Sequence, residues 1–161
     1  MKPNMKTREL QTLWWDWLGT AERLVRMLHE QTAALTLRDI GRVERIQPEL
    51  DAMLEHMRIT DDRAAACAHE LAAGMGIEPN LRSLTQALEQ AEAQQVHALA
   101  NRVMVCARNV QGVLDRNRAL IESELEYVNG TLTLIAKTAE DAKGPFAKPA
   151  KHAAVLVDRA A

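Results

Sequence analysis

The chain has 161 residues, of which 47% are hydrophobic, only 3% aromatic and 26% charged, with a formal net charge of −2. That balance favours helix formers over the β-branched and aromatic residues of strands, and with no dominant charge sign, non-specific nucleic-acid binding is not expected. The opening MKPNMKTREL has no apolar stretch of the kind a secretory leader needs. No run reaches the length that spans a bilayer, so membrane insertion is not expected. Cys67 and Cys106 occupy apolar positions of helical patterns. They read as buried free thiols, and unpaired cysteines suit the cytosol.

The first helix is expected from about Lys6 to about Leu35. Leu10, Trp14, Trp17, Ala21, Leu24 and Leu28 succeed one another at steps of four and three, which lays one apolar stripe along a helix. Trp14 and Trp17 share that stripe, while Trp15 lies about 100° from it and is the candidate partner anchor. The pattern pauses at Thr36–Asp39, where Asp39 can cap the next helix through its carboxylate. The second helix carries Val43, Ile46, Leu50, Met53, Met57, Thr60, Ala64, Cys67 and Leu71, a coiled-coil-like seam. Pro48 removes a backbone donor inside it, which predicts a kink or a restart near Gln47 or Pro48. Gly74 and Gly76 stop the helix.

Pro79 marks a turn, and Asn80 or Ser83 can cap a short amphipathic stretch made by Leu81, Leu84 and Leu88. The last helix is expected from about Ala91 to about Glu140. Its first seam is Val96, Leu99, Val103, Cys106, Val110 and Val113. The seam then shifts to Leu114, Ile121, Leu125, Val128, Leu132 and Ile135, because the original register would place Asn117, Glu124 and Thr131 in the core; such a stutter turns the helix to a different face. Gly144, Pro145 and Pro149 end it. Phe146 sits among Lys143 and Lys148 in what reads as a flexible tail, residues 142–161, after a helical-bundle domain of residues 1–141.

Three long helices with short connections predict an all-α, antiparallel helical bundle or coiled-coil-like hairpin, with a short fourth helix. Helices of about 30 to 50 residues at about 1.5 Å rise would make it elongated.

No enzymatic constellation emerges. The residues three before the histidines are Arg26, Met53, Ala66, Gln94 and Pro149, so the Glu-x-x-His pairs of a di-metal bundle are missing. No His-x-x-x-His, Cys-x-x-Cys or Gly-rich phosphate loop occurs. No histidine has, three residues later, the lysine of phosphotransfer bundles. The histidines read as solvated, and no metal or cofactor is expected.

The C-terminal helix resembles the FlgN family in its Asn117, Leu120-Ile121-Glu122, Leu125-Glu126, Leu132 and Ile135. Thr36-Leu37-Arg38-Asp39 and Met53-Leu54 resemble the family's break and second helix, and the likeness covers residues 8 to 147. Pro48 departs from the family's unbroken helix, and Phe146 stands near Gly144 where the family has a tyrosine. The resemblance implies a cytosolic type III flagellar export chaperone that binds C-terminal helices of hook-filament junction proteins and delivers them to the export gate or ATPase complex. On that reading Leu114, Asn117, Ile121, Leu125, Val128, Leu132 and Ile135 hold the client by helix-in-groove contact, and Phe146 touches the gate. The alternative is a self-associating coiled-coil adaptor or scaffold, since exposed heptads can equally pair two copies into a homodimer.

Overall fold

The computed structural model describes residues 5–142. They form four helices, α1 (Met5–Thr36), α2 (Ile40–Met75), α3 (Leu81–Ala87) and α4 (Gln90–Ala142), and among the described residues there is no strand. Contacts divide the chain into two units, Met1–Asn117 and Arg118–Ala161.

In the first unit the α1–α2 connection is tight because its backbone closes on itself. Arg38 takes a left-handed conformation (φ 57°), and the Asp39 amide donates back to the Ala34 carbonyl at 2.9 Å, a Schellman-type stop. The Asp39 carboxylate then accepts from the Arg42 amide at 3.1 Å, capping α2 as its sequence position predicts. Gly76 (φ 66°) ends α2 the same way, with the Ile77 amide on the Ala72 carbonyl. Asn80 caps α3 through the Ser83 amide at 2.7 Å.

Cross-helix pairs fix the directions. Lys6 meets Glu70, Asp16 meets His56 and Gln31 meets Gln47, so α2 runs antiparallel to α1. Val96 packs in the cluster of Leu10, Arg102 lies over Trp15 and Asn117 bonds to Leu28, so α4 runs parallel to α1. The result is an up–down–up bundle with α3 as a short bridge.

Two buried clusters make its core. One holds Leu24, Leu28, Leu50, Met53, Val110 and Val113. The other holds Leu10, Leu13, Cys67, Leu71, Leu84 and Val96. Trp14 packs against both, and the α1 stripe serves both.

The expected restart at Gln47 or Pro48 does not occur: α2 is one helix with Pro48 inside it. Pro48 is exposed while Ile46 and Leu50 beside it are buried. The backbone bond that proline removes therefore lies on the outer face, where water can satisfy the carbonyl of Glu44.

In the second unit, the described residues 118–142 are helical throughout and none of them is buried. Thr133 and Thr138 donate their hydroxyls to the carbonyls of Asn129 and Leu134, which ties these β-branched residues into the helix locally.

Candidate functional site: the apolar C-terminal half of α4

The seam of α4 keeps its first register further than the sequence pattern predicts. Val110, Val113 and Asn117 are all buried, whereas Leu114 is partly buried at the margin of the core. Asn117 is 2% exposed. Its amide nitrogen donates to the Leu28 carbonyl and to Gln31 Oε1, each at 2.9 Å. Its oxygen faces the Thr32 hydroxyl. Gln31 in turn donates to Gln47 Oε1 at 3.3 Å. A core position can hold an asparagine when every polar atom finds a partner. Leu114 and Asn117 are thus structural members of the first unit, and Asn117 is corrected from a surface contact to a core residue.

Beyond Asn117 the apolar residues are open. Ile121 is 38% exposed and Leu125 58%, and Val128, Leu132 and Ile135 are exposed as well. At about 100° per residue these five fall within an arc of about 80° on one side of the helix. Tyr127 and Leu134 are exposed too, about 80–100° round the helix from Ile135, with Glu124 and Thr131 between. Leu120, Tyr127 and Leu134 follow heptad steps of their own, apart from the Ile121–Ile135 seam.

Trp15 is 51% exposed, with the Arg102 guanidinium 4.8 Å from its ring centroid, so a cation–π contact already engages one face of the ring. Trp14 is half-buried and Trp17 buried. Phe146, Lys143 and Lys148 lie outside the described residues, as do His152 and all but the first residue of the expected tail.

The remaining chemistry is spare. His29, His56, His69 and His97 are exposed, and His56 Nε2 lies 3.1 Å from Asp16. Burial pushes the Cys67 and Cys106 thiols up from their ordinary values, which keeps them protonated and poorly nucleophilic. Among the described residues no group of three or more His, Cys, Asp or Glu side chains is placed to hold a metal. No helix among the described residues is long and apolar enough to cross a membrane. In the first unit an apolar pocket of about 240 Å³ is lined by Leu10, Trp14, Ala68, Pro79, Leu84 and Met104 among others.

These features define a class: a helical-bundle protein whose accessible chemistry is apolar contact, concentrated on one helix. A family model described as FlgN protein matches residues 1–144. The chain belongs to the FlgN family, a family of flagellar export chaperones rather than enzymes. No curated protein and no solved structure matched it.

Proposed function

We propose that this protein is a cytosolic type III flagellar export chaperone that holds the C-terminal helices of hook-filament junction proteins on residues 121–135 of α4. The observation that carries this reading is the exposure of Ile121, Leu125, Val128, Leu132 and Ile135 together on one helix. Exposed apolar side chains gathered in one patch mark an interaction surface. An amphipathic client segment, disordered alone, can fold against such a stripe. Each covered aliphatic side chain contributes about 1 kcal/mol, since each already has part of its area shielded. Ordering the client costs about 2–5 kcal/mol. Five such side chains together contribute about 5 kcal/mol, so the stripe by itself leaves only a small surplus over that cost, which favours release. Phe146, with Lys143 and Lys148, is the proposed contact with the export gate or its ATPase complex.

Size-exclusion chromatography with light scattering tests this directly. The protein mixed with a C-terminal fragment of a hook-filament junction protein is expected to give a defined complex. Ile121→Asp and Leu125→Asp, still folded by circular dichroism, are expected to lose it. No complex, together with a tight dimer of the chain alone, would instead favour the self-associating adaptor.

A further inference from the structure

In the first unit α1 and α4 run parallel, and two hollows follow one another along the seam between them. One, of about 310 Å³, lies among Gln11, Trp15, Gln95 and Arg102. The next, of about 400 Å³, lies among Leu18, Glu22, Arg102, Val105 and Asn109. Arg102 borders both, so they make one groove. From Gln95 to Asn109 it extends for about four turns of a helix, or about 21 Å. Its floor is apolar, with Leu18 and Leu99 buried and the Cys106 thiol partly covered. Trp15 on the α1 wall and Val105 on the α4 wall are 51% and 65% exposed. Large apolar side chains left open beside a groove mark an interaction surface, and Trp is a frequent anchor in one.

The borders of this groove are basic. On α1, Arg8, Trp15 and Glu22 follow at heptad steps, with Arg26 one turn further on. On α4, Arg102, Asn109 and Arg116 do the same. Heptad steps keep side chains on one side of a helix, drifting by only about 20° each. Four arginines and one carboxylate, Glu22, therefore line the groove; Glu30, Arg108 and Asp115 lie farther round their helices. Burial first, and then the Glu22 carboxylate, pushes the Cys106 thiol up, which fits a Glu22 turned toward α4. Among the described residues no salt bridge engages Arg8, Arg26, Arg102 or Arg116. Arg102 lays its guanidinium over the Trp15 ring at 4.8 Å. That contact uses the flat face of the group, and its N–H edge keeps the fork geometry that takes a carboxylate.

We propose that the α1–α4 groove docks an acidic amphipathic helix of a partner polypeptide. The apolar face of that helix covers Trp15, Leu18 and Val105, and its flanking glutamates or aspartates meet Arg102, Arg26 and Arg116. Charge selects this occupant. A basic helix, or a second copy docked groove to groove, would set arginine against like charge, which disfavours both. The groove is separate from residues 121–135, so the proposal stands apart from the chaperone reading.

Fluorescence anisotropy on the full chain tests it with two labelled synthetic helices. Both have leucine and alanine on one face; the first carries glutamate on the flanks and the second carries lysine there. The glutamate helix is expected to bind at least about tenfold more tightly than the lysine helix. Trp15→Ala and Arg102→Glu are each expected to weaken it more than about tenfold. Arg116→Glu, at the end of the groove, is expected to weaken it several-fold, and Leu125→Asp to leave it unchanged. Circular dichroism confirms that each variant is folded. Equal binding of the two helices, or binding of neither, would overturn the proposal. Loss with Leu125→Asp and not with Arg102→Glu would place the helix on residues 121–135 and overturn it too. If light scattering shows the chain alone as a dimer that Arg102→Glu splits, a second copy fills the groove and the acidic partner is wrong.

Discussion

Replacing Asn117 with alanine is expected to destabilise the first unit by about 2–3 kcal/mol. The side chain makes the Leu28 and Gln31 bonds and faces the Thr32 hydroxyl, all from a position that is 2% exposed. Alanine removes both donors and the acceptor at once. It leaves Gln31 Oε1 without the amide that held it and opens a small cavity beside Leu28. Each stranded buried polar group costs about 1–3 kcal/mol. Urea denaturation monitored by circular dichroism reads the change directly. A loss below about 0.5 kcal/mol would mean that water replaces the amide and that the network is not closed. The variant, where still folded, is expected to keep client affinity within about twofold, the ordinary scatter for independent sites. That outcome separates Asn117 from the binding surface despite its place in the family-like motif.

Leu24→Ala is expected to cost about 3 kcal/mol, within the range of about 2–5 kcal/mol for buried leucines. Leu24 is 0% exposed and sits among Leu28, Leu50, Met53 and Val110. Those neighbours belong to three different helices, so no single shift closes the gap. Leu125→Ala provides the contrast. Its parent side chain is open, and the change is expected to move stability by no more than about 0.5 kcal/mol. A leucine that matters for folding and not for binding, beside one that matters for binding and not for folding, would divide core from interface by measurement. Comparable stability losses at the two sites would show that residue 125 is covered within the protein itself.

The fold was legible wherever local chemistry decides it. Asp39 and Asn80 are caps because a short side-chain oxygen must meet orphan amides at a helix start, and Gly76 ends α2 because glycine takes the left-handed conformation without strain. The stripes of α1 and α2 predicted the buried faces because period 3.6 leaves few alternatives. Pro48 misled because its effect depends on which way the lost bond faces, and sequence alone does not say that the Glu44 carbonyl is turned outward. Asn117 misled for the opposite reason. A lone asparagine in a seam reads as a break, and only the meeting of α1 with α4 supplies Leu28, Gln31 and Thr32 as partners. Arg38 in the left-handed region was likewise invisible, since arginine carries no preference for it. On the candidate surface, Ile121 to Ile135 could be read from heptad steps. Tyr127 and Leu134, one heptad apart, do not join that seam, because they lie on another side of the helix.

The most direct test of the account is hydrogen exchange on the protein alone and with the client fragment bound. Residues 118–142 include no buried side chain and carry Gly130, Thr131 and Thr133, which favour helix weakly. Their amides are therefore expected to exchange fast in the protein alone, while those near Leu24, Leu50 and Val110 exchange slowly. Binding is expected to slow exchange strongly across 121–135 and leave the bundle core unchanged. Protection confined instead to the pocket around Trp14, Pro79 and Leu84, with 121–135 still exchanging fast in the complex, would contradict the claim that α4 holds the client.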